Sequence, residues 1–270
     1  MTSAAVDPID SPALRALLGG GAVEHLGVTA STMQRARELA ALPAALLPAV
    51  VVADRQTAGR GRQGAAWWQA PGSLTTSIVV DARDLGGAEP AAWWSLAAAV
   101  ALAAALEDLA PRVVPRVRWP NDLFVDGRKL AGILVERVGE RRAVFGIGVN
   151  TTGSAAAAPP ALRDRVATWP DLTGAILPRQ ALLVALLPRL IGVVRECAAR
   201  PGRLVELYRP RCGLAGSDLT VYQGPRALSG RCLGIDADGA LVLDTAAGRL
   251  HLASASLTPP QAVWRGDGAS

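Results

Sequence analysis

Arg118-Trp119-Pro120-Asn121-Asp122-Leu123-Phe124-Val125-Asp126-Gly127-Arg128-Lys129-Leu130-Ala131-Gly132-Ile133-Leu134-Val135-Glu136 is the stretch on which the reading of this chain turns. Asp126-Gly127 lies between two β-rich runs, 123–125 and 129–138. In that setting Asp-Gly is a strong hairpin signal, because a tight hairpin turn needs positive φ at its centre. Pro120-Asn121-Asp122 is a turn ahead of the hairpin, and 113–119 is the expected strand before it. Folded this way, Asp122 and Lys129 sit on neighbouring strands and can face one site. Lys129 opens an apolar strand, where an unpaired ammonium is costly. An anionic ligand would remove that cost; an edge lysine snorkelling to water is the plainer alternative.

Lys129 stands out for a second reason. Of the 28 basic residues in the 270-residue chain, it alone is lysine. Asn121 and Asn150 are the only asparagines. A GC-rich genome that writes Arg wherever either cation serves explains most of this. The lysine that survives then marks a place where a compact charge on a flexible stem differs from a planar fork. The net charge is +5 and the pI about 9.8, but no dense basic run accompanies them. Ordinary surface charge plus one anion site accounts for the balance, and no specific DNA binding is expected.

The remaining composition is consistent with a cytoplasmic enzyme. Residues 1–10 are polar and slightly acidic, with no apolar signal segment. The apolar run 96–106 is too short to span a bilayer, so no membrane association is expected. Cys197, Cys212 and Cys232 are odd in number and far apart, which fits neither a disulfide framework nor a zinc ribbon. With His25 and His251 the only histidines, no tightly bound metal is expected.

Outward from the hairpin, residues 1–20 read as a loose leader ending in Gly19-Gly20-Gly21, too short for a helix-turn-helix domain before Ser31. Met33, Ala36 and Ala40 share one face of a short helix after Ser31-Thr32. Strands are expected over 50–53, 74–80 and 143–149, with a Gly-rich loop over 57–64. Trp93, Leu96 and Val100 mark a helix over 91–109. Leu182, Leu186, Leu190 and Val193 mark another over 180–197, with a kink at Pro188. A further helix over 203–209 ends at Pro210. From Cys212 the character changes to short β runs (219–222, 231–235, 241–243, 250–253) separated by turns, which reads as a small barrel of about five strands. The fold class is α+β, a mixed sheet packed with helices, followed by that barrel. The expected domains are 1–20 (leader), 21–211, 212–264 and a tail, 265–270.

Three further segments carry chemistry. In Gln56-Thr57-Ala58-Gly59-Arg60-Gly61-Arg62-Gln63-Gly64 the glycines let backbone N–H groups close around a ligand, and Arg60 and Arg62 can pair a phosphate and a carboxylate. The order is neither a Walker A loop nor a Rossmann fingerprint; a flexible basic loop touching RNA is the alternative. In Gly146-Ile147-Gly148-Val149-Asn150, glycine at alternate positions clears one sheet face for a flat ligand, or marks a bulge. Ser31-Thr32 is a ligand contact or a plain helix N-cap.

Taken together, Ser31-Thr32, the segment from Gln56 to Gly64, Trp67, Arg118 to Asp122, Lys129 to Glu136 and Gly146 to Asn150 resemble the biotin–protein ligases of the lipoate/biotin ligase superfamily, in order and rough spacing, from about Glu24 to Leu257. The resemblance implies a class II aminoacyl-tRNA-synthetase-like catalytic domain and an SH3-like C-terminal module. It implies ATP with Mg²⁺ as cofactors, biotin as substrate, and a biotin carboxyl carrier domain as protein partner. By the same resemblance the ligand site takes Ser31, Thr32, Met33, Gln56, Gly59, Arg60, Gly61, Arg62, Trp67, Asn121, Lys129, Gly132, Gly148 and Asn150. The chemistry falls to Lys129, Arg60, Arg62 and Asp122, with Asp122 near an amine or Mg²⁺. This chain departs from the family pattern at Met33, where Asn is usual, at Ala65, where a basic residue is common, and at Arg118, where Lys is common. A lipoate or octanoate ligase on the same scaffold is the nearest rival. A non-catalytic sensor of the adenylate is the more distant one.

Overall fold

The computed structural model describes residues 7–85, 92–200, 202–259 and 264. A seven-stranded mixed sheet forms its centre. The strands are β1 (Val23–Thr29), β2 (Ala49–Gln56), β3 (Leu74–Asp81), β4 (Arg116–Arg118), β5 (Asp122–Val125), β6 (Arg128–Val138) and β7 (Arg142–Val149), in the order β1-β2-β3-β7-β6-β5-β4. β1 and β2 run parallel, and every other neighbouring pair is antiparallel.

Strand alternation gives this sheet two different faces. Val50 and Val52 of β2, Ile78 and Val80 of β3, and Phe145 and Ile147 of β7 join the main core. That core is covered by α3 (Ala92–Leu109) and α5 (Arg179–Ala199). The alternate residues Ala49, Val51, Val79 and Val144 face α2 (Thr32–Leu39), where Met33, Ala36 and Leu39 complete a second, smaller core. Every residue from Leu96 to Ala103 is at most 1% exposed. The small alanines let α3 lie close to α5 and the sheet at once. The expected first residue of this helix, Ala91, lies outside the described residues. α5 runs uninterrupted through Pro188. Pro188 has no N–H for the carbonyl of Val184, a residue 45% exposed, where water can take the place of the lost bond. No helix among the described residues is long and apolar enough to cross a membrane.

The leader is not loose. Residues Ser11–Leu17 form α1, capped by Asp10, whose carboxylate accepts from the Ala13 N–H at 2.9 Å. Leu14 is fully buried. Asp7 is held by Arg179, a guanidinium with no exposed surface, whose Nε donates to Asp7 Oδ1 at 2.9 Å and whose Nη1 donates to Asp54 at 2.8 Å. A buried cation must be paired, and the start of the chain supplies half of that pairing. The leader's remaining residues, 1–6, lie outside the described residues.

Two other expectations change. The strand expected over 113–119 pairs only as β4, Arg116–Arg118, because Pro115 has no N–H for a ladder. The expected barrel is an open antiparallel sheet of β8 (Asp218–Gln223), β9 (Arg226–Ile235), β10 (Leu241–Thr245) and β11 (Gly248–Leu252), in the order β11-β10-β9-β8. It rests on the larger unit through Trp119, whose indole N–H donates to Gly239 O at 3.0 Å. Gly239 has φ +79°, and a Cβ there would lie 2.7 Å from the Trp93 nitrogen. The turn before β10 therefore needs glycine for both its conformation and its close approach.

Candidate active site

The site lies on the α2 face of the sheet. Its centre is the β5–β6 hairpin, where Asp122 pairs with Gly132 across the ladder. Lys129 Nζ lies 2.7 Å from Asp122 Oδ1 and 5.7 Å from the centre of the Trp67 ring. The lysine is thus neither unpaired nor a free snorkelling edge residue; a carboxylate of its own hairpin holds it. Asn121 locks the start of the hairpin, its Nδ2 donating to Ile133 O at 2.6 Å while Ile133 N–H returns a bond to Asn121 O at 2.9 Å.

The Gly-rich segment folds as a tight excursion. Trp67 N–H donates to Gly59 O at 3.1 Å and Gly61 N–H to Ala65 O at 2.7 Å. Gln63 (φ 54°) and Gly64 (φ 72°) turn the tip in the left-handed region. Arg60 is exposed and reaches Gly64 O at 3.4 Å. Arg62 is half-buried. Burial holds its guanidinium below its usual range, and the Asp122 carboxylate acts the other way. A desolvated cation of this kind is a ready partner for an anion.

Gly146 and Gly148 clear a patch of sheet, as their spacing suggests, and Gly132 on β6 widens it, but the chain itself fills it. A Cβ at Gly148 would lie 2.6 Å from the Trp67 ring, and one at Gly146 would lie 2.6 Å from Met33 Sδ. One at Gly132 would crowd both Lys129 and Trp67 at 3.2 Å. The flat group on the glycines is the Trp67 indole, whose buried Nε1 has no hydrogen-bond partner. Thr32 is buried and doubly tied: its N–H donates to Gln56 Oε1 at 2.8 Å, and its hydroxyl donates to the same oxygen while accepting from Ser77. Gln56 therefore caps α2. The N-cap residue Ser31 makes no side-chain cap bond of its own, which leaves its hydroxyl for another role.

Two adjoining hollows result. The smaller, about 60 Å³, is lined by Ser31, Thr32, Met33, Gln56, Arg60 and Gly61 together with the glycine patch. The larger, about 560 Å³, runs past Arg62, Arg118, Phe124, Asn150 and Arg165 to Ser256 and Trp264. Trp67, Asn121, Asp122 and Lys129 line both. Asn150 is 1% exposed; its Nδ2 donates to Ala167 O at 3.0 Å, and its Oδ1 has no protein partner.

Of the residues that the resemblance assigns to the ligand site and the chemistry, Gly59 alone lines neither hollow. It stands behind the site, where a Cβ would meet the Gln56 amide at 3.0 Å. Several residues were not anticipated. Ser77 holds Thr32, and Gln69 accepts from Gln56 N–H at 3.2 Å while donating to Asp54 O at 2.9 Å. The run Thr75-Thr76-Ser77, hydroxyls inside a wholly buried strand, was the signal available for one of them. Arg165 and the 256–259 stretch carry no motif.

Residues 26–151 match the Biotin/lipoate A/B protein ligase family. A biotin--[acetyl-CoA-carboxylase] ligase of Mycobacterium tuberculosis is 33% identical over 260 residues, covering 92% of this chain and 94% of that protein. One of Paracoccus denitrificans is 33% identical over 241 residues, covering 86% and 98%. Among solved structures, biotin protein ligase from Aquifex aeolicus in complex with biotin and ATP shares the fold at a TM-score of 0.75 and 24% identity, covering 86% of this chain and 96% of that one. With 26–151 matching the family and nearly the whole length of these two relatives covered, this chain belongs to the Biotin/lipoate A/B protein ligase family.

Proposed function

We propose that this chain is a biotin–protein ligase: it activates biotin with ATP to biotinyl-5′-AMP and passes the biotinyl group to a lysine of a biotin carboxyl carrier domain. One observation carries the reading. A narrow hollow and a wide one meet at a single lysine, with Arg62 on the wall of the wide one. The lining of the narrow hollow assigns it to the acid, which enters as the Trp67 indole moves off the glycines, and the wide one takes the nucleotide, so the two reacting anions come together beside Lys129.

In the first step a biotin carboxylate oxygen attacks the α-phosphorus of ATP, and pyrophosphate leaves. Bringing two anions into contact needs positive charge fixed where it builds up. Lys129 takes the place between carboxylate and α-phosphate, with Arg60 on the side of the acid hollow and Arg62 on the phosphate side. Asp122 holds the Lys129 ammonium in position before substrate arrives. The hairpin from Gly59 to Trp67 then screens the mixed anhydride from water. In the second step the carrier's lysine amine attacks the acyl carbon, AMP departs, and Asp122 orients that amine. Mg²⁺ belongs to this reaction as part of the nucleotide substrate. Among the described residues no cluster of three or more His, Cys, Asp or Glu side chains forms, and a single carboxylate fits an ion carried in on phosphates.

The segment 212–264 is read as an SH3-like C-terminal module to the catalytic unit. The reading is supported by the backbone pair between Tyr222 and Ser256, with bonds of 2.8 and 2.9 Å, which brings the chain after β11 back to β8. Met33 favours a second substrate reading, a lipoate or octanoate ligase, because its thioether lines the narrow hollow where relatives of the resembled family carry an amide. Incubation with ATP and Mg²⁺ plus biotin, lipoate or octanoate, reading acid-dependent pyrophosphate release, separates the two. Release with biotin alone, followed by labelling of a carrier domain, is the expected result. Release with lipoate or octanoate alone would overturn the biotin reading, and release with none would overturn both.

A further inference from the structure

In the Gly59–Trp67 hairpin, Ala65 and Trp67 bond inward to Gly61 and Gly59. Ala66 lies between them, so its N–H points the other way and needs a partner from outside the hairpin. That partner is the carbonyl of Trp264, at 3.1 Å. The Trp264 side chain packs, beside Trp68, on a separate apolar cluster of Ala155, Ala158, Leu162 and Val166. Trp264 and the 256–259 stretch line the same hollow as Arg62 and Gln63. Trp264 is therefore anchored on one side of the wide hollow and hydrogen-bonded to the arginine hairpin on the other.

We infer that Trp264 is a positioning residue for adenylate formation: its indole packs on the cluster around Leu162, and its carbonyl holds the Arg60–Arg62 hairpin against the nucleotide hollow. The inference rests on the reading of that hollow as the nucleotide site. The physical argument is local. The hairpin's own ladder is two bonds long, and its tip lies in the left-handed region, so it has little internal reason to stay against the sheet. A backbone bond to an anchored segment lowers the entropy of the hairpin before ligand arrives, and a preorganised loop binds at less entropic cost. Only the anchor is lost in Trp264→Ala, since the carbonyl remains; Trp264→Phe keeps most of the apolar contact.

Two readouts test this. In ligand-free protein, trypsin should cleave after Arg60 and Arg62 several-fold faster in Trp264→Ala than in the wild type, with Trp264→Phe close to wild type. With substrates, Trp264→Ala should release biotinyl-AMP roughly ten-fold faster. It should also raise KM for ATP while kcat for pyrophosphate release stays within about twofold, because the reacting groups are untouched. Leu162→Ala, which hollows the socket, should shift the same quantities in the same direction and by less; it also serves if Trp264→Ala fails to fold. Unchanged cleavage and release in both variants would overturn the inference, as would a phenylalanine variant as defective as alanine. If the wild type makes no adenylate at all, the proposed function fails, while the cleavage comparison still decides whether Trp264 orders the hairpin.

Discussion

Lys129 Nζ sits 2.7 Å from Asp122 Oδ1, across a hairpin whose two strands are joined by Asp126-Gly127. The chain's single lysine therefore has a partner that fixes its position, while it remains 30% exposed toward substrate. Lys129→Ala should cut pyrophosphate release by roughly 10²–10³-fold, the range for losing one fixed charge-stabilising donor, with thermal unfolding close to wild type. Lys129→Arg should stay at least tenfold down, because a planar fork cannot follow charge as a point charge does. Full activity in Lys129→Arg would show that compactness is not required.

Arg62 is half-buried and desolvated, with the Asp122 charge acting against that burial. Arg62→Gly removes a charge-assisted contact worth about 1.5–3 kcal/mol, which should speed escape of biotinyl-AMP roughly ten- to a hundredfold. Rapid dilution of enzyme loaded with labelled adenylate measures that rate. An unchanged rate would remove Arg62 from the phosphate contacts.

Gly148 and Trp67 are in such close contact that a Cβ would fall 2.6 Å from the ring. Gly148→Ala should destabilise the protein by about 1–3 kcal/mol. In the Trp67→Ala background the same change should have little further effect. Urea unfolding of the four proteins in this cycle reads the coupling; simple additivity would mean that the two residues do not compete for one space.

The three cysteines should differ in reactivity and in how it depends on pH. A hydrogen bond from Cys232, with help from Tyr208, holds the Cys212 thiol well below its usual range. Burial pushes Cys197 up to about 11. The thiolate is the nucleophile, so brief iodoacetamide treatment at neutral pH should label Cys212 before Cys197. The Cys212 rate should level off at a lower pH than the Cys197 rate, which keeps climbing toward pH 11. Peptide mass spectrometry checks the order, and faster labelling of Cys197 would refute it.

An acyl adenylate that escapes will acylate exposed amines. Here only Lys129, held by Asp122, and the α-amino group are available, since a protonated guanidinium is a very poor nucleophile. Arg62→Gly, incubated with ATP, biotin and a lysine-rich bystander, should label the bystander and at most Met1. Heavy labelling elsewhere on the enzyme would contradict this.

Much of the architecture was legible because local signals agreed with tertiary ones. Asp126-Gly127 named its hairpin, and the leucine stripe named α5. The unanticipated elements are those whose cause lies elsewhere in the chain. Asp7, ahead of α1, is held by Arg179, far along the sequence. β1 carries a weak pattern, with only Val23 of its seven residues buried, and exists because β2 offers it an edge. Within the site, glycine spacing correctly announced a cleared sheet face, but spacing cannot say whether a ligand or Trp67 lies on it. The pairing of Lys129 with Asp122 was foreseeable from the hairpin; the capping of α2 by Gln56 was not, because Ser31 looks like a sufficient cap on its own.

Met33 and Gly146 occupy one space from positions far apart in the chain: a Cβ on the glycine would lie 2.6 Å from the methionine sulfur and 2.9 Å from its Cγ. This imposes an order on how the region can change over generations. A larger residue at 146 is barred while Met33 is present, but becomes admissible once position 33 has shrunk. The reverse path passes through an overpacked intermediate. Variants of the acid hollow should therefore be reached from position 33 first, and a larger residue transplanted at 146 alone should fail where transplanting it together with a smaller residue at 33 succeeds.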